Sequence, residues 1–215
     1  MVAAHPCAES YVTAVRERVM SGLVGNGHDP VLIDLYGTAY DPFLPFPADD
    51  ADALRTATAL VLVHPTWWTS QPANLLAWLD QASSTGLPGV RTLVSVTTLG
   101  GSRLANLVAG ESGLRVMKRA VRPRCVQRPT HRRLAFYGMD RSTADERAAF
   151  LDRVEHRIGT LVRCTCPPGC GCTPTPSPRS STSVSGEFRR VPGARKLTAT
   201  QTARVPVSFD AHRVR

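Results

Sequence analysis

Three short stretches of this chain carry residue types that could hold a flat, phosphorylated ligand. The first is Pro65-Thr66-Trp67-Trp68-Thr69-Ser70, where two indole rings and a run of backbone amides follow directly on an apolar segment. The second is Thr97-Thr98-Leu99-Gly100-Gly101-Ser102. Glycine, lacking Cβ, lets backbone come close to a planar ring, and the Thr98 hydroxyl can bond ring heteroatoms. The third is His5-Pro6-Cys7-Ala8-Glu9-Ser10-Tyr11, which leads into a helical pattern. The free N–H groups and the dipole of a helix N-terminus both favour phosphate. Each stretch is weak by itself. Tryptophan pairs more often pack than seat a ligand, Gly-Gly pairs are mostly turns, Ser10 reads as a plain cap and His5 as a turn residue.

The surrounding elements decide whether the three meet. Thr58 to Val63 is almost unbroken apolar and rich in β-branched residues, which suits a strand covered on both faces, with Pro65 as its stop. Pro72 suits the first position of the next helix, Ser70 or Gln71 could cap it, and Leu75, Leu76 and Leu79 fall on one face. Val12, Val15, Val19 and Leu23 form the face of an earlier helix that Ser10 can cap. Further strands are expected at Val31–Leu35, Thr92–Val96 and Leu134–Tyr137. A last helix should begin at Asp140-Arg141-Ser142, with Ser142 and Asp145 as a capping box and Phe150, Leu151, Val154, Ile158 and Leu161 inward. The first strand holds only Val2, Ala3 and Ala4 where strands run to about five residues. Either the true start lies upstream of Met1 or this strand is clipped. Alternating strands and helices predict a doubly wound α/β domain, in which loops at the carboxyl ends of the strands bind ligands.

The motifs in these stretches resemble those of the flavodoxin-like NAD(P)H:quinone oxidoreductases, including the short bacterial NAD(P)H-dependent flavin oxidoreductases. Pro65, Trp68 and Pro72, followed by Leu75-x-x-Trp78-Leu79-Asp80, are similar to P-x-x-W-x-x-x-P and L-x-x-W-[LF]-[DE]. His5, Ser10 and Tyr11 match H-x4-S-[FY], and Thr97-Thr98-Leu99-Gly100-Gly101 matches T-T-G-G with one residue inserted. Asp34-Leu35-Tyr36 with Tyr40-Asp41-Pro42 is similar to D-L-Y-x3-F-[DN]-P, and the run from Tyr137 to Val154 is similar to the end of the short bacterial members. The resemblance spans about residues 1–162. It implies a flavodoxin-like, five-stranded parallel sheet of order 2-1-3-4-5, non-covalently bound FAD (FMN second), and NAD(P)H as co-substrate. Hydride passes through flavin N5 to a quinone-type acceptor, so no side chain is assigned as catalytic. By the same resemblance His5, Ser10 and the Tyr11 amide hold phosphate, while Pro65, Thr66, Trp67, Trp68 and Thr69 hold the flavin ring. Thr98, Gly100 and Gly101 support its reduced charge, and Trp68 walls the substrate pocket. The loop from Gly37 to Asp50 lies near the contact of a homodimer in relatives. Ser102 to Gly113 lacks the tyrosine and histidine that the larger animal enzymes carry after the double glycine.

Composition limits the alternatives. Residues 1–162 carry 17 Arg or Lys against 15 Asp or Glu, a net of +2, and residues 163–215 carry 9 against 2, a net of +7. The basic character therefore belongs mostly to the end of the chain. The cluster from Arg115 to Arg133 lacks interleaved aromatics, so a solvated face is expected there and no nucleic acid. No apolar run approaches the ~20 residues that span a bilayer, and no signal peptide follows Met1, so no membrane insertion and a cytoplasmic location with reduced thiols are expected. Two units are expected: a flavin-binding domain at 1–162 and a Pro/Ser/Thr/Arg-rich, disordered tail at 163–215. The tail's Cys164, Cys166, Cys170 and Cys172 are spaced too tightly for an ordinary structural zinc site, and no metal is assigned. Two further readings remain: an ancillary subunit docking on a membrane potassium-efflux system, as some relatives are, and a tail that binds acidic polymers.

Overall fold

The computed structural model describes residues 1–125 and 129–162. The tail and its four cysteines lie outside the described residues. Five parallel strands, β1 (Val2–Ala3), β2 (Ile33–Asp34), β3 (Ala59–Pro65), β4 (Thr92–Thr98) and β5 (Thr130–Phe136), form one sheet of order β2-β1-β3-β4-β5. The fold class and strand order expected from the sequence are those observed.

Strand alternation builds a layer on each face. Val61, Val63, Val94, Val96 and Leu134 point to one side, where α1 (Tyr11–Gly25) and α6 (Ala144–Leu161) cover them. Leu60, Leu62 and Leu93 point to the other, against α2 (Ala48–Thr56), α3 (Ala73–Thr85) and, beyond a largely exposed α4 (Arg103–Val108), the segment from the end of α5 (Ser112–Val116) to Cys125. From α5 the chain continues in a π-helical turn, Met117–Val121, and a 3-10 turn, Arg122–Arg124. Trp78 sits fully buried in this second layer. Its indole N–H donates to Asp50 Oδ2 at 2.7 Å, and Phe46 packs on its ring. Leu75 and Leu79 are buried beside it, whereas Leu76 is only half-buried.

β3, β4 and β5 run further than their apolar cores, whereas β2 is shorter than the expected Val31–Leu35, pairing only at Ile33 and Asp34 because β1 beside it offers two residues. β3 does not stop at Pro65 but includes it, paired with Thr98 and buried. The neighbouring β1 has ended by then, so the N–H that proline lacks has no ladder partner to lose. β5 begins at Thr130, four residues before its apolar part, because an edge strand tolerates His131, Arg132 and Arg133. Pro72 is the cap position of α3, not its first residue, and no side chain caps that helix. The last helix is capped one residue later than expected, by a reciprocal Thr143–Glu146 box, since Ser142 donates instead to the Met139 carbonyl of a preceding 3-10 turn.

α1 and α6 approach closely because each offers a glycine. A Cβ on Gly22 would overlap Ile158 Cγ2 and the Glu155 carbonyl, and one on Gly159 would overlap the Asn26 side chain. Overpacking of this kind costs ~1–3 kcal/mol, and for a domain of this size each kcal/mol moves Tm by roughly 2–4 °C. Gly22→Ala and Gly159→Ala should therefore each lower the calorimetric Tm by several degrees. Gly25→Ala, whose Cβ would meet nothing, should leave it unchanged.

Candidate functional site

The rim above the carboxyl ends of β1, β3 and β4 holds all three stretches, because these strands are neighbours in the sheet. Beyond Pro65 the chain makes a tight reversal. Trp67 N–H donates to the Ser70 carbonyl at 3.0 Å and Ser70 N–H to the Trp67 carbonyl at 2.9 Å. The central residues have φ of 50° at Trp68 and 65° at Thr69. A two-residue turn with both φ values positive normally takes Asn-Gly, since L-residues with Cβ are strained there by ~1–2 kcal/mol each, a β-branched one most of all.

A seam to α5 holds this turn in place. Gly113 N–H donates to the Thr69 carbonyl at 3.1 Å, and the Ser112 hydroxyl donates to the same carbonyl at 2.7 Å. The Thr69 hydroxyl meets Ser112 Oγ at 3.1 Å, and Gln71 Nε2 donates to the Gly113 carbonyl at 2.9 Å. The geometry presents Trp68 almost wholly to solvent, 98% exposed, with Trp67 at 39%. Of the loop amides, Thr66 N–H is engaged by the Thr98 carbonyl at 2.7 Å and Trp67 N–H by Ser70. The amides of Trp68 and Thr69 have no protein partner among the described residues.

The turn after β1 meets this loop directly, with the His5 and Trp67 ring centroids 6.2 Å apart. His5 Nδ1 lies 3.1 Å from both the N–H and the carbonyl oxygen of Cys7, so the ring is tied into the turn by its inner nitrogen. Ser10 caps α1: its Oγ accepts from Thr13 N–H and pairs with Thr13 Oγ1 at 2.9 Å, so its hydroxyl is engaged inside the turn. Tyr11 packs its ring on Phe136 and donates its hydroxyl to the Arg147 carbonyl at 2.8 Å. What Tyr11 and Val12 offer outward is their backbone N–H, which no protein group accepts.

The third stretch follows the end of β4. Thr98 is the last residue of β4, 6% exposed, on the same side of the strand as Val94 and Val96. The space that a Cβ on Gly100 would fill is taken by the Asp140 carboxylate. Gly101 accepts from Asn106 Nδ2 and Gly138 N–H, each at 3.0 Å. The double glycine thus accommodates the protein's own chain as well as anything laid over it.

Beneath the turn lies a small cavity of about 20 Å³ that the motifs do not point to, lined by His64, Thr66, Ser95, Thr97 and His131 together with Leu99 and Met117 among others. The signal for it was present in the strands, where the inward positions that begin Leu60, Leu62 and Leu93 turn polar at His64, Ser95 and Thr97. His64 is 4% exposed, with Nδ1 against the Pro65 carbonyl at 2.9 Å and Nε2 unpartnered. Burial holds its pKa down at about 4, and the nearby Arg133 and His131 add to that. His131 Nε2 bonds Ser95 Oγ at 3.0 Å and is likewise lowered to about 4, by burial first and by Arg133, Lys118 and Arg122 after it. At the cavity's outer side Arg133 pairs with Glu111 at 2.8 Å, and the Tyr137 hydroxyl donates to the same Glu111 oxygen at 3.1 Å. The Arg133 bond holds the Glu111 carboxyl below its usual range.

Comparison with known proteins fits this architecture. A family model described as flavodoxin-like fold matches residues 1–116. No curated protein matches the chain in sequence. Among solved structures, the NAD(P)H:quinone oxidoreductase from Methanothermobacter marburgensis is 20% identical, with a TM-score of 0.63 over 77% of this chain and 96% of that one. An FMN-dependent NADH-azoreductase from Bacillus anthracis, solved with FMN, is 15% identical, with a TM-score of 0.56 over 75% and 98%. General stress protein 14 from Treponema denticola, also solved with FMN, is 15% identical, with a TM-score of 0.53 over 75% and 95%.

The buried His64 and the half-buried His131 give the domain a defined response to acid. Above the unfolded-state pKa of roughly 6.5 both are neutral in either state and cost nothing. As pH falls from there toward the folded value of about 4, the unfolded chain binds protons that the folded one refuses, so stability drops. His64 alone contributes a slope approaching ~1.4 kcal/mol per pH unit in that window. Urea midpoints measured from pH 7 to 4 should fall accordingly, and less steeply in His64→Gln.

Proposed function

Because this chain belongs to the family of flavodoxin-like fold, we propose that it is a flavin-dependent NAD(P)H oxidoreductase passing two electrons, as hydride, to a quinone-type acceptor. The observation that carries this reading is the meeting, on one rim, of unpartnered helix N-terminal amides with an unpartnered pair of amides on a tryptophan turn. A phosphorylated planar ring needs both. FMN takes precedence over the FAD expected from the motifs, because the flavin-bearing neighbours are FMN complexes.

The residues fit such a group at its two ends. The amides of Tyr11 and Val12, with the His5 ring, would hold the phosphate, and Ser10 would position that turn through Thr13 without touching the ligand. The amides of Trp68 and Thr69 would bond polar ring edges, with Trp67 packed toward His5 and the Trp68 indole as a wall for nicotinamide or quinone. Gly100 and Gly101 would lie along the ring through backbone. Pro65, Thr66 and Thr98 serve the strand ends that set these positions. When bound, the flavin would supply the hydride acceptor and donor, and the protein supplies placement and exclusion of water.

A second copy of the chain is the natural cover for Phe43, 93% exposed, and Leu44 at 59% on the loop between β2 and α2. The ancillary role on a membrane potassium-efflux system has no structural observation of its own among the described residues. Among those residues no helix is long and apolar enough to cross a membrane.

Purified protein given FMN should turn yellow, and its flavin should bleach anaerobically with NADH or NADPH and recolour with menadione. Trp68→Ala should bind FMN roughly ten-fold more weakly, a loss of ~1.4 kcal/mol, with an unchanged Tm because the side chain it removes is in solvent. Flavin that binds but is bleached by neither nucleotide would overturn the activity. Failure to bind FMN or FAD would overturn the site.

A further inference from the structure

The cavity under the tryptophan turn presents one polar atom that its own protein leaves without a partner. His64 Nδ1 faces a carbonyl, which can only accept, so the ring proton sits on Nδ1 and Nε2 carries a lone pair. That lone pair is buried, and no side chain or backbone donor reaches it. An unsatisfied buried acceptor costs on the order of 1–3 kcal/mol, and proteins rarely leave one so.

We propose that this cavity is a built site for a single water molecule, which donates to His64 Nε2 and bridges it to the hydroxyl pair Thr66–Thr97. The volume of about 20 Å³ exceeds the roughly 10–15 Å³ that one water requires. The partners are in place. Thr66 Oγ1 and Thr97 Oγ1 lie 2.8 Å apart, so one hydroxyl donates to the other and the pair retains one hydrogen. A water accepts that hydrogen and gives its own to His64.

Other occupants are excluded by charge and by donor count. An anion would face the His64 lone pair, and burial keeps that ring neutral. A cation would share the space with the Arg133 guanidinium. The second imidazole, His131, has its Nε2 engaged by Ser95. No group of three or more metal-ligating side chains exists among the described residues. An apolar molecule would strand the acceptor as before. Water alone is neutral, small and a donor.

The site has a consequence for the turn above it. Thr66 opens the loop that carries Trp67 and Trp68, and its amide and hydroxyl are both tied to β4. The bridging water extends that tie to β3 through His64, so three separate points fix the start of the loop. None of this depends on the flavin reading, and the test needs no ligand.

The test is nitrogen-15 and water-exchange NMR on the full chain, labelled at histidine, at neutral pH and without added flavin. The expected spectrum has His64 as the Nδ1–H tautomer, its Nε2 shifted as a hydrogen-bonded acceptor, and a cross-peak from its ring to a long-lived water. An Nε2 resonance at the free-acceptor position, or no water cross-peak, overturns the proposal. Thr97→Val keeps the strand's shape and removes a hydroxyl of the bridge. It should abolish or weaken that cross-peak several-fold while His64 keeps its tautomer, and an undiminished peak overturns the bridging role.

Discussion

A two-residue reversal built from residues that avoid it governs this molecule. Trp68 and Thr69 both hold left-handed backbone angles, and locally only the two hydrogen bonds between Trp67 and Ser70 offset that strain. Further compensation comes from the start of α5, where Ser112 and Gly113 bind the Thr69 carbonyl and Gln71 reaches back to Gly113. Each donor sits more than forty residues away in the chain from its acceptor, or from the donor's own partner. The seam is therefore a product of the finished fold. It exposes an indole fully while withholding the chain's freedom to tuck it away.

The sheet order makes that seam possible. Placing β3 between β1 and β4 brings the phosphate-type turn, the tryptophan turn and the double glycine side by side. Extending β3 and β4 to Pro65 and Thr98 then fixes their relative height through seven paired positions. The α1–α6 pair, drawn together across Gly22 and Gly159, anchors the first of the three turns from below. Tyr11 adds a direct bond between them by donating to Arg147.

Much of this was legible in the residues. Alternation and turn residues gave five strands and their helices, and the spacing around His5, Trp68 and Gly100 located the rim. The ends of elements were not, because they depend on neighbours. Pro65 is tolerated in a strand only where β1 has ended, the polar start of β5 reads as loop until it is known to be an edge, and Thr143 caps α6 because a 3-10 turn claims Ser142. α2 escaped notice because its sequence is short and acidic, with Leu54 alone buried among its residues. The cavity was missed for a different reason. Single polar residues at inward strand positions, His64 and Ser95 among them, mean little until a third layer of structure closes over them.

Asp140 brings something else to the rim. Its carboxylate fills the room beside Gly100 that any other residue would need for its own side chain, so the corner carries an acidic group. Whatever rests against that glycine feels a field opposing the arrival of further negative charge, softened by solvent because Asp140 is exposed. A redox group seated there would hold added electrons less tightly and hand them on more readily, which biases the corner toward electron donation over storage.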